Sequence, residues 1–292
     1  MLIGALVILY FRTKTRIFPL KVFVHEGMGI GFISFWIMNI ALVFSYFEFF
    51  TNYYLGILSF ILIIILSLFS LIMANIIKIK NLNLQSYKIF QNYKFIFISD
   101  IHLGSNSINH FEKIINKIEK FEYDFILLGG DLIDSSSFQI EKFNILKKIS
   151  KPIFFVTGNH EYYIDNYKQK INDFNKFNIK VLNNENKIFN DLNIIGIEDK
   201  INNNKKTQKI KKLLKTNKYN LVLIHKPSVW KEVKDDIDFM ICGHTHNGQI
   251  FPFNYFVRLQ FKYTFGLYSS SNSNLYVSSG AGCWGPRMRL AT

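Results

Sequence analysis

Long apolar runs occupy the first quarter of the chain. No charged residue occurs at positions 28–46 or 49–77, and a helix that crosses a membrane needs about 20 apolar residues. We therefore predict two membrane-spanning helices, at about residues 29–46 and 55–77, joined by a short connector. The alternative is a pair of buried core helices, which are also apolar on every side.

The first eleven residues are also apolar, but they form a shorter run. They lack the basic start and the small-residue cleavage site of a secretory signal. The sequence leaves open whether residues 1–11 form the end of a crossing helix or a segment that lies on a membrane surface.

Short apolar runs alternate with helical patterns after residue 77. The predicted strands lie at 94–99, 124–128, 152–156, 193–197, 221–224 and 237–241, and the predicted helices lie near 108–121, 140–149 and 167–177. Runs that are apolar throughout are typical of strands covered on both faces, so we predict an α/β fold with helix layers around the sheet. The predicted domains are a membrane region at 1–80 and a soluble domain at 81–292. Asn-rich stretches at 183–186, 202–204 and 269–274 indicate surface loops.

Basic residues flank the two apolar runs and are absent from the connector between them. The positive-inside rule then places both flanks, and with them the soluble domain, in the cytosol at the inner face of a cell membrane. The residues that carry this argument are Arg12, Lys14, Arg16 and Lys21 before the first run, and Lys78 and Lys80 after the second.

The soluble domain is strongly basic. Only four of the 35 Lys and Arg residues and two of the 21 Asp and Glu residues precede Lys78, so the domain carries +12 of the formal net charge of +14. This charge suits an anionic lipid surface or an anionic substrate, although a general bias toward Lys, Asn and Ile explains it equally well. No nucleic-acid partner is expected, because no basic-aromatic motif of such a module occurs. Two cysteines, Cys242 and Cys283, provide no disulfide framework.

Five polar blocks each follow an apolar run of the soluble domain. They are Asp100-Ile101-His102, Gly130-Asp131, Gly158-Asn159-His160-Glu161, His225, and Gly243-His244-Thr245-His246, and they contain five of the seven histidines. Functional sites in α/β folds form at the carboxyl ends of the strands, so these blocks are expected to converge on one rim. A single block of this kind is explained about half the time as a turn or a helix cap. Five such blocks in this order are not explained in that way. The remaining histidines, His25 and His110, are expected to be structural.

The side chains of these blocks suit divalent metal ions. Carboxylate, imidazole and amide groups bind Mn, Fe, Zn or similar ions, and no thiolate is present in any block. Two-metal hydrolysis needs a bridging carboxylate, and Asp131 is the natural bridge because Gly129 and Gly130 allow a tight turn before it. Glu161 is expected either to support the ligands or to begin a helix in contact with solvent.

The pattern D-x-H, GD-x-x-D, GNH-E/D, a lone His and GH-x-H resembles that of the calcineurin-like metallophosphoesterase family. The resemblance covers about residues 93–289 and implies a layered β-sheet sandwich flanked by helices. It implies two divalent metal ions that share Asp131. The ligands of one ion would be Asp100, His102, Asp131 and His246, and those of the other Asp131, Asn159, His225 and His244.

The same resemblance implies a catalytic pair. The family's His of the GNH block lies beside the phosphate, so His160 would protonate the leaving oxygen or stabilise its developing charge. Asp134 matches the carboxylate that orients this His. A hydroxide between the two metals would attack the phosphorus in line.

The segment after the last block resembles a membrane-associated bacterial branch of the family. That branch includes phosphodiesterases and pyrophosphatases that act on lipid-linked substrates, and it usually has Gly at the position of Asn247 and a further strand beyond residue 292. The aromatic and basic segment 251–268 is expected to cover a lipid-linked substrate or to pack on the sheet. The leading interpretation is a membrane-tethered hydrolase of phosphodiester or pyrophosphate bonds. The alternatives are a phosphodiesterase for a soluble nucleotide and a non-catalytic metal-binding membrane scaffold.

Overall fold

A computed structural model describes residues 18–48 and 50–292, with side chains from residue 23 onward. The expectation for residues 1–11 lies outside this range. The chain divides into two compact units. The first contains the described part of Met1–Ile76 together with Gln249–Phe251 and Trp284–Ala291, and the second contains Ile77–Gly248 and Pro252–Cys283.

Two long helices dominate the first unit. Helix α1 spans Phe18–Ser45 and helix α2 spans Asn52–Ala74. The segments long and apolar enough to cross a membrane are Phe23–Ser45 and Asn52–Ala74, and only 17% of each is buried. A pair of buried core helices would be covered on most sides, so this exposure contradicts the core-helix alternative.

The C-terminal segment of the chain packs with these helices in the first unit. The Arg287 side chain donates from Nε to Glu26 Oε1 at 3.0 Å, and the Arg287 amide donates to Glu26 Oε2 at 2.9 Å. Met288 is fully buried in an apolar cluster with Ile33 and Ile37 of α1. Glu26 is the one acidic residue of α1, and its ion pair offsets the cost of removing a carboxylate from water.

Two β-sheets form the second unit. The first sheet is parallel, with strand order β1-β2-β3-β4, and consists of β1 Phe95–Ile98, β2 Phe125–Leu128, β3 Ile153–Phe155 and β4 Ile179–Val181. The second has the order β5-β6-β7-β8-β10-β9. It consists of β5 Glu185–Phe189, β6 Leu192–Ile197, β7 Tyr219–Ile224, β8 Phe239–Cys242, β9 Gly266–Ser269 and β10 Asn274–Val277. Its outer pairs, β5 with β6 and β9 with β10, are antiparallel.

Alternate strand residues point to the two faces of each sheet. Phe125 and Leu127 of β2 pack in one apolar cluster with Leu221 of β7, so the two sheets lie face to face. Ile126 and Leu128 point the other way and pack with helix residues. The layered sandwich flanked by helices is therefore confirmed, and it holds the ends of neighbouring parallel strands at one edge.

Short helices connect the strands. The α-helices of this unit are α3 Ile108–Ile118, α4 Tyr167–Asp173, α5 Asn203–Leu213, α6 Trp230–Val233 and α7 Phe253–Gln260. The 3₁₀ turns are Ile140–Lys148, His160–Tyr163, Phe174–Phe177, Pro227–Val229 and His246–Gly248. Helix α3 begins where the Ser107 side chain accepts the His110 amide, and it buries one face that includes Phe111 and Ile114.

Several elements differ from the sequence expectations. The helix expected near 140–149 is a 3₁₀ helix, and the one expected at 167–177 changes from α to 3₁₀ after Asp173. Helix α5 begins in an Asn-rich stretch that indicated a loop, and the Asn202 side chain caps its first turn. The buried residues of this helix are Lys206 and Ile210, so it has little apolar pattern. Strand β5 also overlaps an Asn-rich stretch, and its polar side chains occupy the edge of the sheet.

Candidate metal centre

The seven residues predicted to bind metal all follow the carboxyl ends of β1, β2, β3, β7 and β8, and His246 begins a 3₁₀ turn there. Within the described residues, six of the seven, all but Asn159, form two adjoining groups. In each group the candidate ligand atoms lie within 4.8 Å of one another. One group is Asp100, His102 and His246, and the other is Asp131, His225 and His244.

The first group has two imidazoles and a carboxylate facing one another. His102 Nε2 lies 3.1 Å from His246 Nε2, and His246 Nε2 lies 3.6 Å from Asp100 Oδ1. All three residues are buried. Two imidazole nitrogens this close to each other and to a carboxylate form a suitable site for a divalent ion.

Asp131 belongs to the second group and also approaches the first. Its Oδ2 is 3.2 Å from His225 Nε2 in the second group and 3.8 Å from His102 Nε2 in the first. The second group is completed by His244 Nδ1, which lies 3.1 Å from His225 Nε2. A carboxylate that reaches both groups is the arrangement that a bridging ligand requires.

Asn159 supplies an oxygen that the protein itself does not satisfy. Within residues 18–48 and 50–292, no hydrogen-bond donor reaches the buried Oδ1 of Asn159. A buried acceptor without a partner costs about 1–3 kcal/mol, so a bound cation would remove that cost. The donor set and this acceptor both fit a pair of divalent ions.

The backbone at the site is strained. Residues other than glycine rarely adopt positive φ. The backbone strain of such residues is concentrated at functional sites. The ligand candidates with positive φ are Asp100 (56°), His102 (53°), Asp131 (51°), His244 (75°) and His246 (48°). Asn159 has φ −77°, so a need for positive φ does not explain its presence.

Two glycines allow the ligand loops to approach each other. Gly130 has φ +88°, and a Cβ there would lie 2.6 Å from the Gly158 nitrogen and 2.7 Å from His225 Nδ1. A Cβ at Gly243 would collide with Asp100 Oδ2. Any larger residue at either position would push two ligand loops apart.

Hydrogen bonds orient the ligands. His225 Nδ1 lies 2.8 Å from the Gly129 carbonyl oxygen, which leaves its Nε2 facing Asp131. The His244 amide donates to both carboxylate oxygens of Asp100, at 3.1 and 3.0 Å. These contacts fix the ligands before any ion binds.

The pKa values of the ligand candidates are shifted in both directions. Burial lowers the pKa of His225, but the neighbouring Asp131 raises it to about 10, so His225 would release a proton when an ion binds. Burial alone would raise the pKa of Asp131, but the neighbouring His225 lowers it well below its ordinary value. Burial lowers the pKa of His244 to about 2, and the charge on His225 acts in the same direction. Metal binding requires an ionised carboxylate and a neutral imidazole.

Glu161 supports the ligand loops from inside the protein. Its side chain is fully buried, so a solvent-exposed helix start is wrong. Oε2 accepts the amides of Asp131 (3.0 Å) and Gly158 (2.7 Å), and Oε1 accepts those of Leu132 (2.6 Å) and Ile133 (3.1 Å). One carboxylate therefore joins the loop of the bridging residue to the loop of Asn159.

Replacing Glu161 with Ala should destabilise the second unit. Four amides would lose their acceptor, and each buried unpaired donor costs about 1–3 kcal/mol, so we expect a loss of at least about 3 kcal/mol. Thermal unfolding in detergent measures the loss. The control is Glu141→Ala, an exposed glutamate whose loss should change stability by less than about 0.5 kcal/mol. Equal melting temperatures for the two variants would show that Glu161 does not hold the loops.

The proposed catalytic pair lies at the edge of both ligand groups. His160 Nε2 is 4.0 Å from Asp131 Oδ2, and its ring lies 4.7 Å from that of His102. With His102 and Asp131, His160 forms a third set of atoms within 4.8 Å. Asp134 Oδ2 is 3.5 Å from His102 Nδ1 of the first group. Burial lowers the pKa of His160 below its ordinary value, and Asp131 and Asp134 oppose that shift.

The loop after β10 also supports the site, a role that the sequence patterns did not predict. A Cβ at Gly280 would lie 2.9 Å from Asp100 Cβ and 3.2 Å from His246 Nδ1. The Gly282 amide donates to the Asp100 carbonyl at 2.9 Å. A Gly-rich run just after an apolar strand was the only signal for it. His110, expected to be structural, contacts the Ala281 carbonyl of this loop at 2.7 Å.

The aromatic segment after the last ligands divides into two parts. Helix α7 buries none of its residues, and Tyr255, Phe256 and Leu259 are exposed. Phe261, just after the helix, packs edge to face on His244 with ring centroids 5.2 Å apart. The segment thus contacts one ligand candidate and leaves an apolar helix in solvent.

The comparisons with known proteins agree with this geometry. Residues 93–248 match the family described as calcineurin-like phosphoesterase, and the chain belongs to that family. An uncharacterized metallophosphoesterase of Helicobacter pylori is 34% identical over 73% of this chain and 60% of the relative. One of Aquifex aeolicus is 30% identical over 68% of this chain and 80% of the relative. A Danio rerio protein named "transmembrane protein with metallophosphoesterase domain" is 27% identical over 68% of this chain and 51% of the relative.

The chain thus spans about 60% of the length of the Helicobacter relative. The chain therefore contains the phosphoesterase domain of this family, together with clusters of candidate metal ligands. The two apolar helices and the transmembrane relatives indicate membrane association.

Asn247 also has a structural explanation. The resemblance implies Gly at this position, and Asn247 has φ 51° and ψ 30°, in the left-handed region. Gly adopts this region without cost, and Asn tolerates it better than most other residues. The substitution therefore preserves the turn that carries His246.

Proposed function

We propose that the protein is a membrane-tethered hydrolase that cleaves a phosphodiester or pyrophosphate bond with two divalent metal ions. The observation that carries the proposal is the position of Asp131, whose Oδ2 lies 3.2 Å from His225 and 3.8 Å from His102. Asp100, His102 and His246 would hold one ion, and Asn159, His225 and His244 the other. When bound, the two cations would lower the pKa of a water between them and neutralise charge on the phosphoryl oxygens.

The protein's own residues supply the rest of the chemistry. His160 would donate a proton to the leaving oxygen from the edge of the site, where 17% of its side chain is exposed. Burial lowers the pKa of His160, and Asp131 and Asp134 oppose that shift, so both carboxylates would favour the protonated imidazole before the proton is transferred. Glu161 and the Gly280 loop would hold the ligands in position throughout.

A lipid-linked substrate fits the surroundings of the site. Leu259 is 86% exposed on α7, beside the exposed Tyr255 and Phe256, and Arg258 lies in the same helix. An apolar helix with a basic residue suits the headgroup region of a membrane or the acyl part of a substrate. The same metal chemistry would serve a soluble cyclic nucleotide, so substrate comparison decides between the two.

Both helices of the first unit are proposed to cross the membrane, with the catalytic unit in the cytosol. In intact cells, a membrane-impermeant maleimide should label Tyr53→Cys, which lies at the start of α2, but not Tyr87→Cys in the second unit. Both positions are exposed, at 72% and 89%, and the native Cys242 and Cys283 are buried. Labelling of Tyr87→Cys without lysis would reverse the proposed orientation.

The activity is tested with detergent-solubilised full-length protein, Mn²⁺ and bis-p-nitrophenyl phosphate. We expect release of p-nitrophenol that depends on added metal and stops with a chelator. Bound metal without turnover would favour the scaffold alternative. A second assay compares a lipid-linked pyrophosphate with a cyclic nucleotide, and faster cleavage of the cyclic nucleotide would contradict the lipid-linked part of the proposal.

A further inference from the structure

The 3₁₀ turn at His160–Tyr163 directs its side chains to different sides. Glu161 is fully buried, and Tyr162 is half-buried with its hydroxyl 2.7 Å from Oγ1 of the buried Thr157. Side chains three residues apart in a 3₁₀ helix lie one above the other. Tyr163 therefore lies on the same face of the turn as His160, which is the residue proposed to donate the proton to the leaving oxygen.

Tyr163 contacts the imidazole of His160 and is largely exposed. Its ring packs edge to face on that imidazole with the centroids 5.4 Å apart, and 72% of Tyr163 is exposed. His160 also has other contacts that fix it. Its amide donates to Asp131 Oδ1 at 2.8 Å, and its ring lies 4.7 Å from the ring of His102. Because these contacts already hold His160 in place, its position does not explain the exposed aromatic ring beside it.

A group attached to the leaving oxygen would reach Tyr163. In-line displacement puts the leaving oxygen on the side of the phosphorus away from the attacking oxygen, and a general acid must lie within about 2.6–3.2 Å of the oxygen that it protonates. The leaving oxygen would then lie against His160, whose ring contacts Tyr163. A flat ring bonded to that oxygen can approach Tyr163 to the centroid distance of about 4.5–7 Å at which aromatic rings interact.

We propose that Tyr163 forms a binding subsite for a flat ring of the leaving group. The substrate class is then a phosphoester or pyrophosphate whose leaving oxygen carries an aromatic or heteroaromatic ring. An aromatic contact binds such a ring more tightly than an aliphatic side chain of similar size does, by about fivefold. This inference rests on the proposed function and specifies the group that leaves.

The test uses detergent-solubilised full-length protein with Mn²⁺ and follows the cleavage of bis-p-nitrophenyl phosphate, whose leaving group is a flat ring. We expect Tyr163→Leu to raise KM by about fivefold and to change kcat by less than about twofold, because p-nitrophenolate departs without a proton from His160. Tyr163→Phe keeps the ring and should have the KM of the wild type. The matched control is Tyr87→Leu, which removes a tyrosine that is 89% exposed and belongs to none of the candidate ligand groups, and it should change neither constant.

A pair of inhibitors separates an aromatic contact from a simple apolar contact. Phenylphosphonate and cyclohexylphosphonate are similar in size, and only the first carries an aromatic ring. We expect Tyr163→Leu to weaken inhibition by phenylphosphonate by about fivefold and inhibition by cyclohexylphosphonate by less than about twofold. The variant should keep the metal content of the wild type, because Tyr163 belongs to none of the candidate ligand groups.

The outcomes distinguish this inference from the proposed function. If the wild type cleaves the diester and Tyr163→Leu weakens both inhibitors equally, or neither, the ring subsite is wrong and the proposed function stands. A lower kcat with unchanged KM and unchanged inhibition would show that Tyr163 only positions His160, and loss of metal would likewise overturn the subsite. If the metal-loaded wild type does not cleave the diester, the proposed function falls and the ring subsite falls with it.

Discussion

Replacing Asp131 with Asn should abolish turnover and release metal. The carboxylate lies between the two ligand groups, and an amide offers one weaker acceptor where a bridge needs two anionic oxygens. The two ions supply several kcal/mol of charge stabilisation, and since each 1.36 kcal/mol is a factor of ten, we expect kcat/KM to fall about a thousandfold or more. Steady-state kinetics and elemental analysis on the same preparation measure both effects.

The control is Asp235→Asn, which removes a carboxylate that is 67% exposed and belongs to none of the candidate ligand groups. It should retain both metals and full activity. Retention of two ions and of more than a tenth of the activity by Asp131→Asn would show that another group bridges the metals.

Replacing His160 with Ala should reduce kcat while both metals remain bound. A positioned general acid contributes about 10²–10⁴-fold, so the loss should fall in that range for a substrate with a poor leaving group. The loss should be much smaller for a p-nitrophenolate leaving group, which departs without a proton. The comparison variant is His225→Ala, which removes an imidazole 3.2 Å from Asp131 and should lose metal as well as activity.

His160 also lies in a group of possible ligands with His102 and Asp131. The metal content of His160→Ala therefore shows whether His160 is itself a ligand. Equal metal loss in His160→Ala and His225→Ala would make His160 a ligand. An equal loss of kcat for good and poor leaving groups would show that His160 acts on the attacked phosphate and does not protonate the leaving oxygen.

The sequence predicts the candidate site well because each block follows a buried strand. Parallel strands deliver their carboxyl ends to one edge, so Asp100, Asp131 and Asn159 come together once the runs before them are recognised as strands. The order of the strands within the sheets follows no such local rule. The antiparallel edges formed by β5 and β9 depend on pairing that the apolar pattern does not encode.

Supporting residues are harder to predict than ligands. Glu161 reads as a polar residue at the start of a helix, and only the fold shows that four amides from two loops point at it. Helix α5 has almost no apolar face, so periodicity does not reveal it, and Lys206 looks like one of many surface lysines. The ion pair between Glu26 and Arg287 joins positions 261 residues apart, which no local pattern predicts.

The most direct test of the account is anomalous diffraction from crystals of the Mn²⁺-loaded protein. We expect two peaks about 3.5–4 Å apart, one beside Asp100, His102 and His246, the other beside Asn159, His225 and His244, with the Asp131 carboxylate in contact with both. A single peak, or a pair of peaks that Asp131 does not bridge, would contradict the two-metal centre.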